Sequence, residues 1–330
     1  MVSLKKTLTL AVMAAATIAL IMTAAPAQAA PYPTKPITLL NGYGPGGGTD
    51  SVSRIMADIM SKQTKQKIIV QNTPGAGTGL ALDKITEATP DGYTMFMSSS
   101  NMNIVKACGQ SKYTYQDIDQ LGSVNFDAPA LLVNTDSAHK TLEDFINYVK
   151  SAKERVNVGT STPAGVWHMG LMRFLKRADI EQYVNVVPST GGGGGVNVRL
   201  LGRHVEAIFI APNEVSSQVK NKDFRMLAIA SPERAPTFPD VPTFRERGID
   251  CVLITMRGFH APKGIPAEAR EFLVNAIKAA AESQDYKDYA KNTYSNAIYM
   301  SPEEYKKYND AEYPDYLKLL DETGLVKRTQ

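Results

Sequence analysis

Two glycine-rich loops near the beginning of the chain limit its fold more than any other feature. The apolar segments 37–40 and 67–71 have the length and composition of buried strands. The loops at 41–50 and 72–79 separate each segment from residues with helical spacing. Two consecutive strand–loop–helix units predict parallel strands whose loops meet at one edge of the sheet. The sequence therefore predicts an α/β fold with a ligand site at that edge.

The first loop joins a flexible backbone to the start of a helix. Its glycines allow backbone N–H groups to approach a ligand closely, and the helix N-terminus adds a partial positive charge. We expect Thr49 or Asp50 to be the N-cap of this helix. Such a loop suits an anion, although a tight turn without a ligand is an equal alternative for one loop alone. Two loops facing one cleft favour the ligand.

The rest of the chain repeats the same alternation of strands and helices. Ser98, Ser99, Ser100 and Asn101 end the third strand, where open α/β sheets place ligands. A third loop follows the strand at 156–159, with Thr162 as the expected N-cap and Pro163 at the first helical position. Further strands are predicted at 93–97, 130–133, 183–187, 205–210, 225–230 and 252–255, a helix at 141–152, and a helical tail from residue 266.

Known catalytic and cofactor motifs are incomplete in this sequence. Gly42-x-Gly44-x-x-Gly47 resembles a dinucleotide fingerprint, but Pro45 lies inside it and no acidic residue ends the second strand. The five glycines at 191–195 lack the lysine of a phosphate-binding loop. No serine nucleophile motif is present, and the histidines have no metal-ligand spacing. We therefore predict no catalytic residue, no metal and no cofactor. The histidines are His139, His168, His204 and His260.

The N-terminal residues have the features of a secretory signal. Lysines precede an apolar run, and Ala27-Gln28-Ala29 fits a cleavage site. A membrane anchor is the alternative. Cleavage after Ala29 removes two lysines and no acid, which lowers the formal charge of +3 by two. We therefore expect a periplasmic protein with no affinity for nucleic acid. Its length predicts two domains, and Cys108 and Cys251 are expected to be free thiols.

Short motifs occur in one order along nearly the whole chain after residue 31. They are YPTKPI at 32–37, GPGGGTD at 44–50, VxNxPGAG at 70–77, PDGYT at 90–94, GxxVEAxF at 202–209, FPDVPT at 238–243 and APxGxP at 261–266. In this order they resemble the Bug family, the extracytoplasmic solute-binding receptors of tripartite tricarboxylate transporters. Each motif is weak singly, but the set is specific.

This resemblance implies a Venus-flytrap binding protein of the type II-like class. Each of its two domains would be a mostly parallel sheet flanked by helices. Domain 1 would comprise residues 31–130 and 256–330, and domain 2 residues 131–255, after a signal peptide of residues 1–29. The implied function is capture of a small organic carboxylate by a monomer that delivers it to membrane permease subunits.

The loops and the resemblance together predict which residues contact the ligand. Backbone amides and hydroxyl groups, rather than charged side chains, are expected to hold the carboxylate. The predicted residues are Tyr43, Gly44, Pro45, Gly46, Gly47, Gly48, Thr49, Asp50, Pro74, Gly75, Ala76, Gly77, Ser98, Ser99, Ser100, Asn101, Thr160, Ser161, Thr162, Trp167, His168, Ser189, Thr190 and Gly191.

Three departures from the family pattern leave the ligand open. Ser189 replaces an aromatic residue, Glu206 replaces an aspartate, and Arg257 lies near a position that is often tryptophan. A dicarboxylate or tricarboxylate, an aromatic acid such as a nicotinate-like acid, and an amino acid all remain candidates. A receptor that signals through a sensor kinase is an alternative function, and a secreted α/β enzyme is a more distant one.

Overall fold

The computed structural model describes residues 32–189 and 192–325. Contacts divide the chain into Met1–Thr34 and Lys35–Gln330, and the elements below belong to the second unit. The predicted signal peptide and its cleavage site lie outside the described residues. None of the helices within the described ranges is long and apolar enough to span a bilayer.

The strands and helices alternate along most of the described chain. The strands are β1 Ile37–Asn41, β2 Ile68–Asn72, β3 Thr94–Ser99, β4 Ile118–Asp127, β5 Ala130–Asn134, β6 Val156–Thr160, β7 Val184–Pro188, β8 Ala207–Ile210, β9 Phe224–Ile229, β10 Thr255–Pro262 and β11 Asn296–Met300. The helices are α1 Gly48–Thr64, α2 Gly79–Thr86, α3 Leu142–Ser151, α4 Val166–Arg177, α5 Gly192–Leu201, α6 Ser216–Lys220, α7 Ala267–Glu282, α8 Gln284–Thr293 and α9 Pro302–Thr323.

A six-stranded sheet contains both glycine-loop units. Its order is β11-β4-β10-β3-β1-β2, and β1 is parallel to both β2 and β3. The loops after these three strands therefore meet at one edge, as the sequence predicts. β10 runs antiparallel between β3 and β4 and brings Arg257 to the same edge, opposite Ser99 and Asn125. Leu40 and Phe96 of this sheet pack in one apolar cluster with Leu82 of α2 and Tyr305 of α9.

A five-stranded sheet has the order β7-β6-β8-β5-β9. β6 is parallel to β7 and β8, and β5 is antiparallel to β8 and β9. Its core contains three buried aromatic rings. The ring of Phe174 on α4 stacks on that of Phe209 on β8, with centroids 6.5 Å apart, and contacts the ring of Phe244 at 4.9 Å. These contacts hold α4, and the loop that precedes it, against the sheet.

Two chain segments and one helix connect the sheets. The segments join β4 to β5 and β9 to β10, and they are linked by a hydrogen bond of 2.8 Å from Ala230 N to Pro129 O. α9 contributes Tyr305 to the core of the six-stranded sheet and Tyr316 to that of the five-stranded sheet. The Tyr316 hydroxyl also donates to Ile254 O at 2.7 Å. α9 therefore packs on both halves of the molecule.

The sequence-based fold class is confirmed, but both sheets are mixed rather than mostly parallel. The sequence predicts a strand at 252–255, but β10 begins at Thr255, the last residue of that range. β4 and β11 are not predicted from the sequence. β4 carries the buried polar residues Gln120, Ser123 and Asn125, which disguise its apolar pattern. β11 is a short, half-buried edge strand inside the tail that was expected to be helical. Antiparallel strands of this kind lack the βα rhythm on which the parallel prediction was based.

Both cysteines are free thiols, as expected. Cys251 is buried and Cys108 is half-buried, and burial raises the pKa of the Cys108 thiol to about 11. We predict two reactive thiols per chain in denaturant without reductant, and slow labelling of the folded protein because little thiolate is present. Titration with an aromatic disulfide reagent measures the number of thiols in denaturant and the rate of labelling of the folded protein. A purified protein without thiols in denaturant would show instead that the cysteines pair.

Candidate functional site

A cavity of about 280 Å³ lies between the loops of the two sheets. Its lining residues come from loops that follow the strands, from the starts of α1, α4 and α5, from the end of β3 and from β10. They are Gly42, Tyr43, Gly44, Gly47, Gly48, Thr49, Pro74, Gly75, Ala76, Gly77, Thr78, Ser99, Asn101, Gln110, Ser161, Thr162, Pro163, Val166, Trp167, Gly193, Glu214, Thr255 and Arg257. The volume is near the lower end of the roughly 300–1,000 Å³ usual for small-molecule sites, so it suits a small ligand.

The first loop presents the uncapped start of α1 to the cavity. Gly47, rather than Thr49 or Asp50, is the N-cap, and no side chain caps the helix. Thr49 is instead held by Arg257, whose Nε donates to Thr49 Oγ1 at 3.0 Å. The N-cap prediction is wrong because a glycine with extended backbone lets the helix begin two or three residues earlier. The first-turn amides of α1 are consequently directed to a cavity that suits an anion.

Asp50 fixes the shape of this loop from behind the cavity wall. Its carboxylate accepts hydrogen bonds from Gly46 N at 3.0 Å, Arg54 Nε at 2.9 Å and Asn72 Nδ2 at 2.7 Å. Burial disfavours the charged form, but these hydrogen bonds outweigh it and keep the pKa of Asp50 below its ordinary value. Asp50 therefore stays ionised and joins the first loop to the end of β2.

The second loop has four successive residues with positive φ. The values are 139° at Gly75, 46° at Ala76, 59° at Gly77 and 90° at Thr78. Positive φ is unusual for alanine and is a true outlier for a β-branched threonine. Strain of this kind persists where the surrounding structure holds it, often at ligand sites. The strained turn brings residues 75–78 into the lining of the cavity.

The end of β3 connects the two walls of the cavity, one formed by the loops of the six-stranded sheet and the other by the loops of the five-stranded sheet. The Tyr43 hydroxyl lies 2.6 Å from Ser99 Oγ, and burial raises the pKa of Tyr43, so its hydroxyl remains protonated. Asn101 Oδ1 accepts a hydrogen bond of 2.8 Å from Val166 N, at the first turn of α4. The side chain of Asn101, in the turn that follows β3, thus occupies one backbone donor at the start of α4.

The opposite wall is built by the loop between β6 and α4. α4 begins at Val166 with Gly165 as its N-cap, so the prediction of Thr162 and Pro163 as N-cap and N1 is wrong. Ala164 has a φ of 54°, which keeps residues 161–164 out of the helix and leaves Ser161, Thr162 and Pro163 as an irregular part of the cavity wall.

His168 lies behind this wall and supports the loop. Its Nδ1 accepts a hydrogen bond of 3.0 Å from Ala164 N. Burial lowers the pKa of His168 to about 4, so the ring is neutral at physiological pH. The Thr160 hydroxyl is likewise used internally, because it donates to Phe209 O at 3.1 Å. Ser189 is buried, and its amide donates to Thr160 O at 2.9 Å.

A buried charged group, which the sequence analysis did not place in the cleft, lies at its centre. Arg257 and Asp127 are each only 2% exposed, and their side chains form an ion pair. Arg257 also donates to Asn125 Oδ1, while Asp127 accepts from Asn213 Nδ2 at 2.8 Å. Burial raises the pKa of Asp127 and the Arg257 charge opposes that shift. The expectation that uncharged donors alone line the cavity is wrong.

Glu214 brings a second charged side chain to the cavity. Its Oε1 accepts a hydrogen bond of 2.8 Å from the indole Nε1 of Trp167. Burial raises the pKa of Glu214, whereas nearby Arg257, Trp167 and the amide of Gly193 lower it. Within the described residues, no lysine or arginine nitrogen lies within 4.0 Å of this carboxylate. Glu214 therefore has hydrogen-bond donors but no direct cationic partner.

Two hydroxyl groups at the cavity lack a partner among the described residues. Thr78 is 1% exposed and Thr255 is 3% exposed, and the Oγ1 atom of each forms no hydrogen bond there. Leaving a buried hydroxyl unpaired costs about 1–3 kcal/mol. Neighbouring atoms cover each oxygen, so a ligand in the cavity uses these hydroxyls only after the side chains turn toward it.

Fourteen of the predicted site residues line the cavity, and those that do not are mostly positioned behind it. Pro45, Gly46, Asp50, Ser98, Ser100, Thr160, His168 and Ser189 are absent from the lining, and Thr190 and Gly191 lie outside the described residues. The lining residues that were not predicted are Gly42, Thr78, Gln110, Pro163, Val166, Gly193, Glu214, Thr255 and Arg257. Arg257 was visible as a departure from the family pattern, but Glu214 had no local signal. Over the described ranges, no cluster of His, Cys, Asp or Glu could hold a metal.

Comparisons with known proteins agree with this architecture. Residues 52–325 match the family model described as tripartite tricarboxylate transporter family receptor, TctC. A UPF0065 protein from the gbd 5' region of Cupriavidus necator is 29% identical over 319 residues, covering 95% of this chain and 96% of that protein.

Solved structures of similar fold include three binding proteins. The periplasmic binding protein BugD has a TM-score of 0.83 at 21% identity, covering 90% of this chain and 100% of that one. Rhodopseudomonas palustris MatC, with bound malate, has a TM-score of 0.79 at 23% identity, covering 88% and 100%. Rpa4515 of R. palustris, with adipate, has a TM-score of 0.82 at 20% identity, covering 89% and 98%. At these identities they show a shared fold.

Gly47→Val tests whether the first loop contacts the ligand. A Cβ at Gly47 has no atom within 4 Å and its φ is −84°, so valine fits the backbone and extends into the cavity. We predict loss of ligand binding with only a small fall in the melting temperature of the free protein, because valine is a poorer N-cap than glycine. Gly75→Ala is the matched comparison. Its φ of 139° and the Leu80 Cδ1 atom 2.5 Å from the new Cβ should lower the melting temperature. Unchanged binding by Gly47→Val would remove the first loop from the site.

Asp127→Asn tests the buried ion pair. Removing one partner leaves the Arg257 charge uncompensated, which usually costs about 3–5 kcal/mol. We therefore predict a large fall in the urea midpoint. Asp136→Asn is the control, because the Arg203–Asp136 pair is exposed and should contribute little. Equal midpoints for the two variants would contradict a central role for Arg257–Asp127.

Proposed function

The chain belongs to the TctC family of tripartite tricarboxylate transporter receptors, which are periplasmic solute-binding proteins, and we propose that it captures a small organic carboxylate. The Bug-family resemblance is confirmed by the family match and by BugD among the structures of similar fold. This family consists of receptors and is not a family of enzymes. The secreted-enzyme alternative therefore has no support from it.

The uncapped start of α1 is the observation that carries this proposal, because no side chain caps its first-turn amides at the cavity. The strained turn at residues 75–78 lines the same cavity. Thr78 and Thr255 line it too, and their Oγ1 atoms have no partner among the described residues, although neighbouring atoms cover each oxygen. A carboxylate oxygen accepts hydrogen bonds from helix N-terminal amides and from a hydroxyl group that rotates toward it.

The charge of Arg257 contributes less to binding of the ligand carboxylate than its position at the cavity suggests. Asp127 is its ion-pair partner, so the guanidinium adds little net positive charge to the cavity. The ligand carboxylate is thus held mainly by dipoles and hydroxyls, as the sequence analysis predicted for this end. MatC with malate and Rpa4515 with adipate are proteins of the same fold that hold small carboxylates. Those ligands support the chemical class and do not identify the ligand of this chain.

Domain closure and delivery complete the proposal. Residues 31–130 with 256–330 form one domain and residues 131–255 the other, and the segments after β4 and before β10 act as hinges. The closed receptor then docks on the permease subunits, a partner that follows from family membership alone.

A thermal-shift screen against small organic acids tests the function. A ligand at a hundredfold excess over its Kd should stabilise the protein by about 2.7 kcal/mol. Thr255→Val should weaken binding of the responding acid by roughly ten- to a hundredfold, because it removes a hydrogen bond to a charged group. The free protein should keep its melting temperature, since the lost hydroxyl has no partner.

Thr243→Val is the matched control for this variant. Thr243 is also buried, but its hydroxyl accepts a hydrogen bond from Glu246 N at 3.1 Å and lies outside the cavity lining. It should lower the melting temperature and leave the affinity unchanged. Mass spectrometry of denatured protein detects a ligand carried through purification. No shift with any acid, together with no carried ligand, would contradict the proposed function.

A further inference from the structure

Glu214 occupies an unusual place for a carboxylate in an acid-binding cavity. It lies in the 3₁₀ turn Pro212–Val215 that follows β8, and its side chain reaches the start of α5. Its carboxylate receives the Trp167 indole N–H and the backbone N–H of Gly193. The wall formed by the five-stranded sheet therefore already places a carboxyl group where a ligand carboxylate could otherwise bind.

The close approach of Glu214 depends on two glycines. A Cβ at Gly193 would lie 2.3 Å from Glu214 Oε2, and a Cβ at Gly48 would lie 3.3 Å from Glu214 Cγ. The same Cβ position at Gly48 is 2.7 Å from Arg257 Nη2. Glu214 and Arg257 thus approach one point at the start of α1, from opposite walls. The glycine run after β7 has a function here, because larger residues would move Glu214 away.

The charges around the cavity disfavour a second ligand carboxylate. Glu214 and Arg257 are the charged side chains among the described lining residues, and Asp127 lies behind Arg257 as its partner. With both acids ionised, this group of three has a net negative charge. A dicarboxylate would place its distal carboxylate against Glu214, whereas an ammonium group there would form the ion pair that Glu214 lacks.

We propose that the ligand is an amino-bearing monocarboxylate, whose carboxylate binds the hydroxyls and loops of the six-stranded sheet and whose ammonium group pairs with Glu214. This inference rests on the proposed function, because it assigns the second end of the same ligand. It separates this receptor from relatives of the same fold that hold malate or adipate.

Burial of Glu214 gives the proposal a pH signature. Burial raises the pKa of Glu214, and Asp127 on β4 raises it further, while Arg257 on β10, Trp167 on α4 and the Gly193 amide on α5 lower it. An ammonium group binds the ionised form better, so its affinity should fall as the pH falls through this raised pKa. A distal ligand carboxylate would show the opposite trend, because it needs Glu214 protonated.

Matched acids test the inference by calorimetry. The pairs 3-aminopropionate and succinate, 4-aminobutyrate and glutarate, and 5-aminopentanoate and adipate exchange a terminal ammonium for a carboxylate. α-Amino acids are paired with their 2-hydroxy analogues. We expect the amino member of the responding pair to bind at least about tenfold more tightly at about pH 8, and its affinity to fall as the pH is lowered. A higher affinity for the dicarboxylate or hydroxy acid at every pH tested would overturn the inference and leave the proposed function intact.

Glu214→Gln provides the matching variant. Glutamine keeps an acceptor for Trp167 but removes the charge. We therefore expect the affinity for the amino acid to fall at least tenfold. The preference for the amino acid over its matched acid should become smaller or reverse. Glu206→Gln is the control, because Glu206 contacts His139 and lies outside the cavity lining. If Glu214→Gln does not fold, the pH dependence of the unmodified protein decides. An unchanged preference in a folded Glu214→Gln variant would overturn the inference. If none of the acids binds to the unmodified protein, the proposed function itself is contradicted.

Discussion

The buried ion pair between Arg257 and Asp127 organises the cleft. Removing two charges from water is costly, and the pair is retained only with further hydrogen bonds. Thr49 on α1, Asn125 on β4 and Asn213 beside β8 supply them. The pair therefore connects the start of a helix, two adjacent strands and the opposite half of the molecule. Its principal effect is to define where these elements lie relative to the cavity, rather than to add net stability.

The cavity combines a half lined by hydrogen-bond donors with an acidic half. On one side, the uncapped start of α1 and the strained turn at residues 75–78 provide backbone donors. On the other, Glu214 occupies the donors of α5 and Trp167. A ligand must complement both halves at once. This asymmetry limits the chemistry of the second ligand end more than the volume of the cavity does.

α9 packs on both sheets and would therefore constrain the hinge motion that we propose. Tyr305 packs in the core of the six-stranded sheet, and Tyr316, Leu319 and Leu320 pack in that of the five-stranded sheet. A hinge motion must keep or exchange these contacts, since packed cores change between discrete arrangements. The predicted domain boundaries assign all of α9 to domain 1, whereas the last turns of this helix pack in the core of the five-stranded sheet.

The sequence by itself determined the α/β class, the family and the two glycine-rich loops. These features depend on local spacing and on ordered motifs, which are readable along the chain. The tertiary structure decided where α1 and α4 begin, the antiparallel positions of β4, β10 and β11, and the charged centre of the site. Asp127 and Arg257 are 130 residues apart, and Glu214 meets Trp167 across 47. Such contacts arise only when sheet register and helix packing bring distant segments together, so no local pattern could predict them.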